Sequence, residues 1–334
     1  MNYSILKNLW LDCDPGHDDA MAIILACYHP NLNLLGVSTV AGNQSVEKTT
    51  QNAANILAAI GRSEVTLIKG QPKALFGSMP FCEEIHGHSG LDNLQGKPVF
   101  PNVKFNPSSE VGLFSIYKAI SECFLSKKKK VQFVATGSLT NLALLITIFP
   151  PISEMIEITL MGGALGIGNT NPVAEFNIEN DPESAKIVFE SRIPIAMVPL
   201  EVTHSILVNA EVQERIGRNS PFKIQIQDLL SFFRETYKKV FFFEDPPLHD
   251  PVAVFFLIAP EQFQGRNMRV DIETNSILSR GQTICDFYGK STKPMNCFVA
   301  LSVHVDAFWN EMVSAIEQAD HFSPSNRNII ERNL

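Results

Sequence analysis

The chain has 334 residues, 45% of them hydrophobic, with 27 Lys and Arg against 35 Asp and Glu for a net charge of −8. That length and apolar share can bury the core of one large α/β domain or two smaller ones, and the acidic balance argues against a nucleic-acid partner, which needs a clustered basic face. No apolar run reaches the ~18–20 residues of a membrane span, the first eight residues are too polar for a secretion signal, and the six cysteines form no C-x-x-C pair. A soluble protein with reduced thiols and no membrane partner is expected, cytoplasmic, with access to the nucleus if the source is eukaryotic.

Residues 9–11 read as a first strand and 18–28 as a helix, followed by a strand over 31–40, a helix over 46–60 closed by Gly61, and a strand over 65–68. This rhythm is that of an open, mostly parallel central sheet flanked by helices, a Rossmann-like α/β fold. Residues 70–108 interrupt it with a long loop rich in Gly, Pro, His and Asn, in which His86 and His88 alternate rather than lying one helical turn apart. A helix over 109–125, a lysine turn at 127–130, a strand over 131–135, a helix over 139–148 with Ser138 as its cap, and a strand over 156–161 resume the pattern. Gly162 to Asn169 superficially resembles a dinucleotide loop. No helix follows it at once, since the next begins at Asp181-Pro182, so a phosphate cradle is rejected. A strand over 193–200, a long helix over 222–243, a helix over 252–258 capped by Asp250-Pro251, strands over 268–272, 283–287 and 298–303, and a helix over 307–318 complete the chain. Without repeat or linker, residues 1–320 read as one domain and 321–334 as a polar, frayed tail.

The chemistry concentrates at Asp12-Cys13-Asp14-Pro15-Gly16-His17-Asp18-Asp19, four carboxylates in eight residues. Carboxylates this close raise one another's pKa unless a positive charge sits among them. Asp12 and Asp14 share a face of the strand end, Pro15-Gly16 turns the chain, and Asp18 and Asp19 open a helix. Oxygen ligands converging from a strand, a turn and a helix start suit a divalent cation such as Ca²⁺ or Mg²⁺. Glu175 and Asn177, two apart in a loop, suit one hydroxyl-rich ligand.

The same stretch, continued by Ala20, resembles the signature of the nucleoside hydrolases, the inosine–uridine-preferring ribohydrolase family. Val40-Ala41-Gly42-Asn43-Gln44, Thr136-Gly137-Ser138-Leu139-Thr140-Asn141, Leu160-Met161-Gly162-Gly163, Ala174-Glu175-Phe176-Asn177 and His249-Asp250-Pro251 resemble further blocks of that family, in the same order. The resemblance spans residues 10–310 and implies the nucleoside hydrolase fold and cleavage of the N-glycosidic bond of uridine, inosine or cytidine to free base and ribose.

It further implies a Ca²⁺ held by Asp14, Asp19, the Thr136 carbonyl and Asp250. Asp14 would be the general base toward the attacking water, and His249 the acid for the leaving base. Asp18, Asn43, Asn169, Glu175, Asn177 and Asp250 would hold the ribose hydroxyls and hydroxymethyl group, Met161 and Phe176 would pack against the ribose, and His86 and Tyr237 would approach the base. Asp12 would anchor the turn. Pyrimidine-preferring relatives tend to carry a glutamine where Tyr237 stands, so Tyr237 leans toward the broad inosine–uridine type. A homodimer or homotetramer is the implied assembly. Two other readings compete: a haloacid-dehalogenase-like Mg²⁺ phosphatase using Asp12-Cys13-Asp14, which would need a Lys at a later strand end, and a catalytically inactive nucleoside-binding protein, which would lack Asp14 or a metal carboxylate.

Overall fold

In the computed structural model, residues 6–105 and 112–327 are described. The chain runs β1 (Lys7–Cys13), α1 (His17–Tyr28), β2 (Leu32–Thr39), α2 (Val46–Ala59), β3 (Leu67–Lys69), α3 (Glu83–His86), α4 (Gly112–Lys127), β4 (Val131–Ala135), α5 (Thr140–Ile148), β5 (Ile156–Met161) and α6 (Phe176–Asn180). It continues through α7 (Pro182–Glu190), β6 (Ile195–Val198), α8 (Leu200–Thr203), α9 (Ala210–Ile216), α10 (Pro221–Val240), α11 (Asp250–Ile258), β7 (Phe263–Met268), β8 (Val270–Ile272), β9 (Thr283–Cys285), β10 (Cys297–Val303) and α12 (Val305–Phe322).

Eight strands form one sheet in the order β3-β2-β1-β4-β5-β6-β10-β7, with every pair parallel except β10–β7. The expected open, mostly parallel sheet is therefore the observed one. Strand alternation divides β1 between two cores. Leu9, Leu11 and Cys13 pack under α1, α10, α11 and α12, while Trp10 packs with α4, α5 and α7 on the other face. Trp10 stands opposite Gly36, where a Cβ would collide with its indole ring. The chain leaves β1 toward β2 on one side and returns to β4 on the other, so a crevice opens at their carboxyl ends. That switch point is where open α/β sheets bind ligands.

Several boundaries differ from the sequence reading. The strand expected over 268–272 splits: Phe263–Met268 joins the main sheet against β10, while Val270–Ile272 pairs with Thr283–Cys285 in a separate two-stranded sheet. The long helix stops at Val240, and Phe242 follows with φ of 62°, a left-handed turn that no periodicity announces. Ser138 does not cap α5; its hydroxyl donates to the Ala41 carbonyl at 3.2 Å and ties the β4 turn to the β2 turn. Asp250 is not a cap either, since α11 begins at Asp250 with no side-chain bond at its terminus. The last helix runs on to Phe322, and beyond it Ser323 is buried with its hydroxyl on the Ala59 carbonyl at 2.6 Å. The start of the helix expected at residue 109, the end of the long loop at 108 and the tail beyond 327 lie outside the described residues.

Candidate active site

The turn after β1 delivers Asp14 into the switch point. Asp14 Oδ2 accepts the Asn43 backbone N–H at 2.7 Å, while Oδ1 is buried without a hydrogen-bond partner. A Cβ on Gly42 or Gly137 would strike this carboxylate, which explains two of the glycines in the motif blocks. One turn later, α1 presents Asp18 and Asp19. The Asp19 carboxylate accepts the Gly16 N–H at 3.0 Å and the Thr136 hydroxyl at 2.9 Å. Asp250 arrives from the start of α11, more than two hundred residues away. Because it occupies the first helical position and not the cap, its carboxylate is free to meet those of Asp18 and Asp19. Oxygen atoms from these three lie within 4.8 Å of one another.

Crowding and burial leave their mark on the acids. Burial and the neighbouring Asp19 push Asp14 well above the ordinary carboxylate range, and burial and Asp18 do the same to Asp250. Asp18 is raised to about 7 and Asp19 to about 6, burial being the main cause of each. The one Lys or Arg side chain lining the cavity above them, among the described residues, is Arg280, and its guanidinium is paired with Glu183 at 2.6 Å. A cluster of buried anions with an orphaned oxygen and no free cation fits a metal ion, and an all-oxygen donor set fits a hard one. The set differs in emphasis from the expectation. Asp18, assigned to the ribose, stands in the tight group, and the Thr136 carbonyl receives the Asn177 amide at 2.8 Å.

Above the acids lies a cavity of about 520 Å³. All the expected site residues line it except Asp14 and Asp19, which are buried outside its lining. Glu175 and Asn177 owe their positions to α6, a five-residue helix where the sequence reading has only a loop. Glu175 is its N-cap: its carboxylate accepts N–H groups from Gly163 at 2.9 Å, Asn177 at 2.9 Å and Ile178 at 3.2 Å. Burial still pushes it up to about 7. Asn177 bridges the ends of β4 and β5 through the Thr136 and Met161 carbonyls, and Asn169 accepts the Phe176 N–H at 3.0 Å.

The opposite end is aromatic. Tyr237 and Phe233 of α10 meet His86 of α3 and His249. His249 is held at both nitrogens, with Nδ1 2.7 Å from the Thr203 hydroxyl and Nε2 2.7 Å from the Tyr237 hydroxyl. Burial, and then His204, keep its pKa well below the usual imidazole value, so the ring rests neutral rather than as a charged acid. His86 is steadied by His17, whose Nδ1 lies 3.2 Å from His86 Nδ1 and whose Nε2 lies 2.9 Å from the Asp92 carbonyl.

Sequence reasoning missed three of these supports: His17, Thr203 and Glu201. Glu201 accepts the N–H groups of Leu165 at 2.8 Å and Gly166 at 3.0 Å and so pins the glycine turn after β5. His17 sat in plain view inside the acidic motif. The other two carry no local signal, because their partners come from distant segments.

A polar cavity floored by buried acids at the carboxyl edge of a mostly parallel sheet is the arrangement of an enzyme site for a small polar substrate. The sequence profile described as inosine-uridine preferring nucleoside hydrolase matches residues 9–310. A probable ribonucleoside hydrolase of Dictyostelium discoideum is 43% identical over 336 residues, covering 96% of this chain and 98% of its own. A pyrimidine-specific ribonucleoside hydrolase of Shewanella oneidensis is 40% identical over 92% of this chain and 95% of its own. Among solved structures, the purine-preferring ribonucleoside hydrolase from Gardnerella vaginalis superposes with a TM-score of 0.85 at 29% identity, over 94% of this chain and 100% of that one. The chain belongs to the inosine-uridine preferring nucleoside hydrolase family. It is a hydrolase of the nucleoside N-glycosidic bond. The phosphatase alternative falls with this result, and no lysine lines the cavity among the described residues. The inactive-binder alternative required a missing acid, and Asp14, Asp19 and Asp250 are all in place.

Proposed function

We propose that the protein hydrolyses pyrimidine ribonucleosides, uridine first, with inosine as a poorer substrate, and that it does so with a resident Ca²⁺ held by Asp14, Asp19, Asp250 and the Thr136 carbonyl. The observation that carries the metal assignment is the buried Asp14 Oδ1, which has no hydrogen-bond partner beside three further buried carboxylates. The base preference is supported by the pyrimidine-specific name of a relative at 40% identity, against a purine-preferring structure at 29%.

A bound divalent cation supplies Lewis acidity and lowers the pKa of water at the site. Asp18, Asn43, Asn169, Glu175, Asn177 and Asp250 fix the ribose, with Met161 and Phe176 packed against it, so that binding energy away from the reacting bond orients the anomeric carbon. Asp14 takes one proton from the attacking water as its oxygen bonds to that carbon and the C–N bond breaks through an oxocarbenium-like state.

The leaving base takes its proton from the aromatic end. Thr203 Oγ1 lies nearer to His249 Nδ1, at 2.7 Å, than to the Leu200 carbonyl, at 3.2 Å, so we assign its hydrogen to Nδ1. His249 then carries its own hydrogen on Nε2 and donates to the Tyr237 oxygen, and the phenol hydrogen is free for the base. Tyr237 gives its phenol hydrogen to the base as the C–N bond breaks, the neutral His249 keeps its Nε2 hydrogen in the bond that steadies the resulting phenolate, and His86 faces the base beside them. A cytoplasmic homodimer or homotetramer goes with this reading, and sedimentation equilibrium reads the assembly.

The test is release of free base and ribose from uridine, cytidine and inosine after chelation and after return of Ca²⁺ or Mg²⁺. Release that depends on Ca²⁺ and is fastest with uridine is expected. No release from any nucleoside, or release indifferent to the chelator, overturns the proposal.

A further inference from the structure

A row of side chains beside the cavity fastens the segment that carries His86. Lys48 and Asn52, four residues apart on α2, share a face of the helix, and Gln44 in the turn before it continues their row. The three donate in order to three consecutive carbonyls just beyond His86. Gln44 Nε2 reaches Gly87 at 3.0 Å, Lys48 Nζ reaches His88 at 2.5 Å, and Asn52 Nδ2 reaches Ser89 at 2.9 Å. Asn52 alone of the three also reaches the acid turn, since its Nδ2 donates to the Pro15 carbonyl at 3.0 Å. Pro15 follows Asp14 and precedes Asp18 and Asp19, so one amide group spends both of its hydrogens joining the acids to the His86 segment. The join is tight. Asn52 is 5% exposed, and a Cβ on Gly90, whose φ is 88°, would come within 2.7 Å of its Nδ2. The Gly90 N–H closes back onto the Gly87 carbonyl at 3.1 Å, so Ser89 and His86 belong to one short hydrogen-bonded unit.

We propose that Asn52 is a positioning residue for the reaction, setting the place of His86 relative to Asp14, Asp18 and Asp19. This rests on the nucleoside reading given above, in which the acids and His86 act on one substrate, and adds to it the group that fixes the interval between them. Mutual placement of catalytic groups carries large factors in rate, and an error of about 1 Å costs about 10²-fold. Asn52 does not line the cavity, so its effect passes through the two segments that it joins. His17, with Nε2 2.9 Å from the Asp92 carbonyl, is a second tie between the same segments. Loss of the Asn52 bonds therefore displaces His86 without releasing its segment altogether.

The experiment is a double-mutant cycle in which kcat/KM for uridine is measured on the native protein, Asn52→Leu, His86→Ala and the double variant. Leucine keeps much of the volume and removes both donors. Loss of these bonds predicts a fall of about tenfold in the native background. In the His86→Ala background the fall should be less than about twofold, because there is no imidazole left to misplace. Equal falls in both backgrounds, or no fall in the native one, overturn the proposal. Asn52→Ala serves if the leucine variant does not fold. Hydrogen exchange over residues 83–92 reads the positioning apart from catalysis, and it should quicken by at least about fivefold in Asn52→Leu while β4 and β5 keep the native rate. Should the native protein cleave no nucleoside, the reading of substrate falls. The Asn52 assignment is then read from exchange alone, and an unchanged rate over residues 83–92 overturns it.

Discussion

The hydroxyl of Tyr237 lies 2.7 Å from Nε2 of His249, a residue twelve positions further along the chain and on a different helix boundary. Both side chains are buried and both line the cavity. In the proposed mechanism this contact holds the phenol that donates the proton to the leaving base.

Tyr237→Phe removes the donor and keeps the ring. General acid assistance contributes roughly 10²–10⁴ in rate, so kcat for uridine should fall by at least about 10². A 4-nitrophenyl riboside, whose leaving group needs no proton, should be cleaved at close to the native rate. If both substrates slow equally, Tyr237 has a packing role and the relay is wrong.

Thr203 acts through His249 and touches no substrate. Thr203→Val preserves shape and removes the hydroxyl that aims Nδ1. The expected outcome is a drop in kcat of about tenfold, the scale of one neutral hydrogen bond, with KM little changed and with activity restored in Thr203→Ser. A rise in KM at constant kcat would instead mean that the substitution disturbs the ribose site.

Asp14 carries two expectations. Asp14→Asn should abolish turnover, and in chelated protein it should melt no lower than the native chain, because burial and Asp19 already disfavour the native carboxylate in its charged form. Calcium at a hundred times its Kd stabilises a native site by about 2.7 kcal/mol. The calcium-induced rise in Tm seen with the native chain should shrink in the variant. An unchanged rise would place the ion elsewhere.

Asp12 differs from its neighbours in facing inward. Its Oδ1 accepts the Ser38 hydroxyl and the Asn141 amide, the latter at 2.8 Å, joining β1, β2 and α5 beneath the switch point. Asp12→Ala strands both donors and should lose about 2–3 kcal/mol in urea denaturation, whereas Asp12→Asn, which keeps an acceptor, should lose less than about 1 kcal/mol. A silent alanine variant would show that Asp12 anchors nothing.

Much of the fold was legible because hydrophobic periodicity is local. The βα alternation up to β6, the parallel sheet and the carboxyl-edge turns all follow from which residues repeat at two or at three to four. Where local signals conflicted with tertiary demands, the reading slipped. Asp250-Pro251 has every mark of a cap, yet the acid cluster claims the carboxylate. Glu175 and Asn177 look like loop residues, but the N–H groups that Glu175 gathers close a short helix around it. The split of residues 263–272 between two sheets depends on β10 and β9, neither of which is near in sequence.

By itself, then, the sequence determined the chemistry at the first turn: four carboxylates that raise one another's pKa unless a cation sits among them, followed by ordered blocks that resemble the family's. Only the tertiary structure decided the division of labour. It left Asp14 Oδ1 without a partner at the switch point, drew Asp18 and Asp19 together with Asp250, and tied Asp12 to Ser38 and Asn141. It also placed Thr203, His249 and Tyr237 in one line. The reason is physical: a side chain's type sets what it can bind, but burial and the partners that long-range packing brings to it determine its charge, its aim and its role.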